Sequence, residues 1–513
     1  MATGLVAALP TTVGCSEPGV DVPPVKRPGF GHGVASGDPL PDAVILWTRF
    51  SAEEPAQVEW EVAKDIAFAN ITKRGAATAN GDRDYTVKVD VTGLEPGTTY
   101  YYRFRAAGFT SPMGRTRTAP LDAKQLRFAV VSCASLPHGF FHVYRAIAER
   151  GDIDAVLHLG DYIYEYADGD YGDLRSSEPK DAVESLDDYR TRYAQYRRDA
   201  DLQEAHRQHP FVATWDDHEF IDNAYKDGET GDNKDIGEWP ARRSAAQRAY
   251  FEWMPVREQP DGRIWRNLRY GSLAELIFLD TRVWGRDKQV ADVMDPALAN
   301  PARQILGADQ EAWLGEKLRG STSKWKLVCQ QVFLALSPLS ALDAWNGYPG
   351  ARDRFYDILE KSAVKDVIVL SGDVHSSWAN ELARNPNDPA LYDRATGRGS
   401  LAVELVTPAI TSPTTTTDDP PDVLVAKYGW IKFVNTEKRG YILLDVDEKR
   451  AHGAFLHIDS VTTSERGPMR FTAGVATYTG ESRLRFEAFA PEPPANVPPL
   501  APAPPAPPPG TAT

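Results

Sequence analysis

The sequence predicts an α/β protein with a small all-β domain in front of it. Three observations point there. At 513 residues the chain is too long for one small module, at roughly 100–200 residues per domain. Between Gly29 and Pro120 short segments alternate apolar and polar residues between Gly/Pro turns. After Leu121 the pattern becomes continuous apolar strands separated by helices.

The first region reads as strands at 43–48 (AVILWT), 58–62 (VEWEV), 85–91 (YTVKVDV) and 100–105 (YYYRFR). Period-two alternation sends neighbouring side chains to opposite faces, and short alternating strands between turns make a β-sandwich. The stretch L-x-P-G-T-x-Y-x-Y from Leu94 to Tyr102 resembles the end of a fibronectin type III module. No catalytic residue types cluster here, so support or docking is the expected role.

The second region reads as buried strands at 128–132, 154–159, 211–215, 276–279, 325–332 and 367–370. Helices are expected at 140–150, 186–202, 242–253, 309–318 and 351–361. Alternation of this kind implies βα units around a mainly parallel sheet. Such sheets bind ligands beyond the carboxyl ends of their strands. The expected boundaries are 1–26 for a leader or signal remnant, 27–120 for the β-sandwich, 121–490 for the catalytic domain and 491–513 for a Pro/Ala-rich tail. The leader MATGLVAALP is short and apolar with no Lys or Arg before Lys26. The tail carries no charge after Glu492 and is expected to be mobile and polyproline-like.

Charge narrows the function. A net charge of -15, from 57 Lys+Arg against 72 Asp+Glu, argues against a nucleic-acid coat. An anionic substrate would need a local reversal of that field. No apolar run approaches the roughly 20 residues of a membrane span. No obligate protein partner is evident. Cys15, Cys133 and Cys329 lie far apart, with no CxxC pair, so a disulfide framework is not expected.

Four strand ends carry metal-capable side chains. The first ends Ser132-Cys133-Ala134-Ser135. The second ends Gly160-Asp161-Tyr162-Ile163-Tyr164-Glu165. The third ends Trp215-Asp216-Asp217-His218-Glu219, and a later one Ser371-Gly372-Asp373-Val374-His375. A lone Asp after a strand is more often a helix cap, a lone Cys is usually a small buried hydrophobe, and a lone Tyr is usually core. Four such ends on one face are a different matter. Carboxylates packed densely repel one another and need cations, and bound metals would supply them. Asp161 is placed to bridge two ions. Thiolate, phenolate and carboxylate favour trivalent iron, whereas Asp217 and Asp373 suit a harder ion, Ca²⁺ or Mg²⁺.

The motifs G-D-Y-I-Y-E, W-D-D-H-E and S-G-D-V-H, with Ser132-Cys133, resemble the PhoD-like alkaline phosphatases, a branch of the calcineurin-like metallophosphoesterases. That superfamily's usual strand-end series is D-x-H, G-D, G-N-H and G-H-x-H. Here Cys133 stands near the first position, Asp217 where Asn is usual, and Asp373 where the first His of the last motif is usual; these departures are typical of the PhoD branch. Gly29-Phe30-Gly31-His32-Gly33-Val34-Ala35-Ser36-Gly37-Asp38-Pro39, Trp47-Thr48-Arg49, Asp188-Tyr189-Arg190 and Val403-Glu404-Leu405-Val406-Thr407-Pro408 fit as well. The resemblance implies a metallophosphoesterase α/β/β/α sandwich behind the β-domain, and Fe³⁺ with Ca²⁺. It implies phosphomonoesterase and phosphodiesterase activity, with some relatives acting on phospholipid headgroups. It also implies a secreted, periplasmic or cell-surface location, commonly through twin-arginine export, although the charged start of an export signal is missing.

Two close metals would lower the pKa of a bound water and clamp phosphoryl oxygens, so that hydroxide or another metal-bound oxygen attacks phosphorus in line. Cys133, Tyr164 and His375 are expected on the iron side, Asp217 and Asp373 on the calcium side. His218 directly follows a ligand, and adjacent residues seldom aim at the same ion, so it is expected to protonate the leaving alkoxide or hold the phosphate. Arg190 is expected to pair with a phosphate oxygen, against its reading as a surface helix arginine. The polar insert 168–180 is expected to line the mouth. Substrates would be phosphate-ester small molecules, nucleotides or phospholipid headgroups. A phospholipase D-type diesterase, or a non-catalytic metal-stabilised cell-surface binding protein, are the alternatives.

Overall fold

The computed structural model describes residues 28–229, 237–339 and 341–504. The expected leader therefore lies outside the described residues. Eight strands come from the first part: β1 (Val34–Gly37), β2 (Ala43–Arg49), β3 (Ala56–Ala63), β4 (Ile71–Ala79), β5 (Thr86–Thr92), β6 (Thr99–Ala106), β7 (Phe109–Thr110) and β8 (Gly114–Arg117). The second part opens with β9 (Gln125–Val131), α1 (His142–Ala148), β10 (Ala155–His158), α2 (Leu186–Tyr196), α3 (Ala200–Gln208), β11 (Pro210–Ala213) and α4 (Trp239–Trp253). It continues with β12 (Arg266–Tyr270), β13 (Ala274–Phe278), α5 (Ala308–Gly320), β14 (Trp325–Cys329), α6 (Pro349–Ser362), β15 (Val367–Ser371), β16 (Ser377–Leu382) and β17 (Ala402–Val406). The chain then adds α7 (Pro421–Lys427), β18 (Ile431–Asn435), β19 (Arg439–Asp447), β20 (Arg450–Ile458), β21 (Met469–Tyr478) and β22 (Arg485–Glu487).

The strands build two large sheets where the apolar runs alone suggested one. The ten-stranded sheet has the order β22-β21-β20-β19-β9-β10-β11-β1-β2-β5. Its centre, β9-β10-β11-β1, is parallel, and its flanks are antiparallel. The seven-stranded sheet has the order β12-β13-β14-β15-β17-β16-β18, parallel only from β13 to β17. Parallel centres need cover on both faces, which is why β10, β11, β14 and β15 are mostly apolar and buried along their whole length.

One core lies between the two sheets, where Phe128, Leu157 and Val212 of one meet Leu276, Leu327 and Leu405 of the other. Each such side chain contributes about 1.5–3 kcal/mol by leaving water. A second core packs the ten-stranded sheet on the helices α1 to α4, and a third packs the seven-stranded sheet on α5 and α6. The result is the four-layered α/β/β/α sandwich.

Three expectations are corrected. The single helix expected over 186–202 is two. Asp199 takes an extended backbone and accepts the N–H groups of Asp201 and Leu202, so it caps α3 and stops the preceding helix. The N-terminal sandwich is present, but β1, β2 and β5 form one of its layers while belonging to the ten-stranded sheet. β1 pairs in parallel with β11, and β3, β4, β6, β7 and β8 make the opposing layer. The Pro/Ala-rich tail is docked as far as it is described. Tyr101 Oη donates to Pro499 O at 2.7 Å, and Gln208 exchanges two hydrogen bonds with Ala501, at 2.9 and 3.0 Å. Arg207 donates to Pro502 O at 2.9 Å.

Candidate metal centre and active site

The loops that leave the parallel strands β9, β10 and β15 put non-glycine residues into the left-handed region. Cys133 has φ 60°, Asp161 φ 54°, Asp373 φ 66° and His375 φ 54°. Such strain persists only where the surroundings over-determine it, and it concentrates at functional sites. Two glycines let these loops approach. A Cβ on Gly160 would stand 2.4 Å from Asp216 Cβ, and one on Gly372 would stand 2.8 Å from Ser132 Oγ. Gly160 and Gly372 directly precede Asp161 and Asp373, so the G-D pairs of the sequence are close-packing pairs.

Three overlapping groups result, each with ligand-type atoms within 4.8 Å of one another: Cys133, Asp161 and His375; Asp161, Asp217 and His218; Asp216, Asp217 and Asp373. Asp161 joins the first group to the second and Asp217 joins the second to the third. The Tyr164 hydroxyl donates to Asp161 Oδ2 at 3.0 Å, accepts from Ser412 Oγ at 2.7 Å and lies 3.2 Å from His375 Nε2. Seven of the eight residues singled out from the sequence thus meet in one place. Five of them (Asp161, Asp217, His218, Asp373 and His375) line a cleft of about 450 Å³ that Tyr166, Tyr171, Leu339 and Thr415 also line, while buried Cys133 and Tyr164 stand behind it, against Asp161. Tyr171 comes from the 168–180 insert and stacks on Tyr164 with ring centroids 5.2 Å apart.

Arg190 is the eighth and is not brought there. It sits on α2 and is not among the residues lining the cleft. Its guanidinium grips Glu252 on α4 at 2.7 and 2.8 Å and donates to Asp82 O at 2.8 Å. It joins elements together away from the cleft. The expectation that neighbours point apart is also corrected, because Asp217 and His218 both face Asp161.

Orientation comes from surrounding hydrogen bonds. His375 Nδ1 donates to Pro413 O at 2.8 Å, since a carbonyl only accepts, and this leaves the Nε2 lone pair toward Asp161. His218 Nδ1 donates to Glu165 Oε2 at 2.8 Å. Buried Glu219 accepts the backbone N–H groups of Asp161, Tyr162 and Asp216 at 3.1, 2.7 and 2.8 Å, tying two strand-end loops together. Burial and the Asp161 charge push Glu219 up to about 8 against those donors.

The sequence reading missed Glu165, Asp216, Glu219 and Arg282. The first three stand inside motifs already singled out. Arg282 lies four residues beyond β13, in Leu279-Asp280-Thr281-Arg282, so the same strand-end rule would have reached it. Its fully buried guanidinium contacts Asp216, reaches Asp373 Oδ1 at 2.5 Å and lies 3.5 Å from Asp217 Oδ1. The expected neutralisation of these carboxylates by metal alone is therefore corrected: the chain supplies one cation itself. Burial would raise Asp217, but Arg282 and His218 hold it down at about 2. Burial opposes charge on His218 too, yet Glu165, Asp161 and Asp217 carry it well above the usual imidazole range.

The residues fit metal ions. Asp161 Oδ1 and Asp216 Oδ2 are buried with no hydrogen-bond partner, a costly state for a carboxylate unless a cation meets it. Burial, then the Asp161 charge, push the Cys133 thiol and the Tyr164 phenol well above their ordinary pKa values. Only a strong Lewis acid would deprotonate either near neutral pH.

Residues 128–455 match the family described as PhoD-like phosphatase, and residues 15–120 match the PhoD-like phosphatase N-terminal domain. The chain belongs to the PhoD-like phosphatase family. It is 39% identical over 384 residues to alkaline phosphatase D of Bacillus subtilis (strain 168), an alignment spanning 69% of this chain and 65% of that relative's length. It is also similar to the solved structure of PhoD, with a TM-score of 0.84 and 34% identity across 92% of this chain and 94% of that one. The likeness covers both sheets, so the strand-end loops sit on a PhoD-like frame.

Proposed function

We propose that this chain is an exported, metal-dependent phosphoesterase that hydrolyses phosphomonoesters, phosphodiesters or both. One observation carries the reading: strand-end loops from two sheets gather Cys133, Asp161, Tyr164, Asp217, Asp373 and His375 into one cluster around the unpartnered Asp161 Oδ1, at the floor of the cleft. Cys133, Tyr164 and His375 would hold a trivalent iron, Asp217 and Asp373 a calcium ion, with Asp161 between them. The ions would neutralise the phosphate and acidify water, which is the general chemistry of two-metal phosphoesterases. Family membership supports the phosphate-ester substrate, and export rests on the resemblance. No helix among the described residues is long and apolar enough to cross a membrane.

His218 has the geometry of a proton donor. Glu165 fixes Nδ1, so Nε2 is the nitrogen free to face the cleft. The Glu165 carboxylate paired with Nδ1 favours imidazolium, which has a proton on Nε2 to give to a leaving alkoxide. Tyr166 and Tyr171 pack over this imidazole, with ring centroids 5.4 and 6.2 Å away, and shield one side of it from water. The diester reading gains from the charge of the cleft. Beyond the proposed metal ligands, its described lining residues include two further aspartates, Asp222 and Asp343, and no Lys or Arg. A singly charged diester suits such a mouth better than a dianionic monoester.

The test is turnover of p-nitrophenyl phosphate, bis(p-nitrophenyl) phosphate, a nucleotide diester and phosphatidylcholine, before and after chelation, with metal analysis of the same sample. Hydrolysis that disappears with the metals supports the reading. Full activity in a metal-stripped sample, or none on any ester with metals bound, overturns it.

A further inference from the structure

Arg282 has no solvent exposure, yet it lies against more carboxylates than a single guanidinium can neutralise. Its Nε faces Asp216, its Nη2 lies between Asp373 and Asp217, and its Nη1 stands 3.7 Å from Asp343 Oδ2, buried and without a hydrogen bond. The loop bearing it is tied down. Asp280 Oδ1 accepts the N–H groups of Arg282 and Val283 at 2.8 and 3.0 Å, while Asp280 Oδ2 accepts from Trp215 Nε1 at 3.0 Å. The side chain is thus anchored in place, behind the cleft wall and out of reach of a substrate.

The two halves of the cluster are asymmetric. Among the described residues, Asp161 makes no ion pair with Lys or Arg; its basic neighbours are the two imidazoles, His375 and His218. Asp216, Asp217 and Asp373 all share Arg282. We propose that Arg282 is a built-in counter-cation, a positioning residue that holds the Asp216, Asp217 and Asp373 carboxylates together without metal and weakens that subsite's hold on a divalent ion. The inference rests on the metal-dependent reading above.

The physical grounds are charge and geometry. Three buried carboxylates left uncompensated would repel one another and distort their loops. A guanidinium prevents that with a permanent charge that does not depend on pH. The same charge acts on any arriving cation through a poorly screened, water-poor space. An ion bound by Asp217 and Asp373 must share its ligands with Arg282, whereas among the described residues no Lys or Arg pairs with Cys133, Asp161 or His375. The Asp217–Asp373 subsite should therefore be the exchangeable one.

The experiment measures thermal melting of the metal-stripped full chain, alone and with calcium chloride, for wild type, Arg282→Lys and Arg282→Met. Arg282→Lys keeps the charge and should behave nearly as wild type. Arg282→Met should melt lower when stripped, by about 5 °C or more, and its calcium-induced rise should be roughly double that of wild type, because calcium replaces the missing cation. If Arg282→Met can be recovered folded only in the presence of calcium, that is the same result at its extreme. An equal calcium rise in Arg282→Met and wild type overturns the proposal. So does an Arg282→Met chain that calcium cannot recover, which would make Arg282 a packing residue. The wild-type chelation assay separates the two readings. Chelator-sensitive hydrolysis with equal calcium rises sinks only the Arg282 proposal. Wild-type hydrolysis and melting that are both indifferent to metal sink both.

Discussion

His218 is tethered at Nδ1 by Glu165 and faces the cleft with its other edge, alongside Asp161 and Asp217. If it serves as the proton donor, His218→Ala keeps both metals and loses rate by about 10²–10⁴-fold. Metal analysis beside kinetics checks this, and loss of metal with the rate would make His218 a ligand. Cys133 and Tyr164 lead to a spectroscopic prediction. Thiolate and phenolate donate charge to trivalent iron, so the iron-loaded protein is expected to be coloured. Cys133→Ser should weaken or shift the visible band, since an alcohol is a poorer ligand than a thiol. Tyr164→Phe should change it while keeping the ring. An active, iron-loaded but colourless protein would remove both residues from the iron. At this scale the sequence was informative because ligand chemistry belongs to residue types. Arg282 escaped attention because a cation is not a metal ligand, and its value came only from what surrounds it.

At the scale of elements, Arg190 shows how a motif residue can be structural. It links α2 to Glu252 on α4 and to Asp82 beside the N-terminal strands. Glu252 is buried and also meets Arg248 at 2.9 Å, so removing Arg190 leaves the carboxylate partly paired. Arg190→Ala is expected to lower stability by about 1–2 kcal/mol with KM and kcat near those of wild type. Urea melts and kinetics on the same preparation check this. A raised KM at unchanged stability would return Arg190 to the substrate. The break between α2 and α3 belongs here too. Tyr189, Tyr193 and Tyr196 carry the helical spacing that suggested one long helix, and all three are buried in α2. Asp199 ends that helix by capping the next one, a choice that apolar periodicity does not register.

At the scale of the molecule, the C-terminal segment is a strap. From Glu492, whose carbonyl meets Arg127 of β9, it runs by way of Val497 near Gly151 to Pro499, Ala501 and Pro502. It thereby touches the catalytic sheet, the end of α3 and β6 of the N-terminal sandwich. A chain ending at Ala490 should lose about 2–5 kcal/mol, from five hydrogen bonds and the buried Ala501. Its KM should be unchanged, because no described strap residue lines the cleft. Thermal melting of the truncated and full chains checks this, and identical curves would restore the mobile tail. The continuity of β11, β1, β2 and β5 in one sheet means that the N-terminal strands and the catalytic strands should unfold together.

The sequence by itself determined which segments are buried strands, which chemistry stands at their ends, and the family to which the chain belongs. These properties are local: apolar runs, ligand-type side chains and glycines at fixed offsets are written residue by residue. Whether the strands form one sheet or two was beyond the apolar runs and was expected only through the family resemblance, because pairing partners lie up to hundreds of positions apart, as β9 and β19 do. The same distance hid Arg282 among Asp216, Asp217 and Asp373, Glu219 between two loops, and Arg190 on Glu252. Composition reads the proline tail as unable to bury much of itself, yet only the tertiary structure supplies the carbonyl-seeking Tyr101, Arg207 and Gln208 that hold it. What a residue is was legible in the chain; which residue faces it was decided by the packing of the four layers.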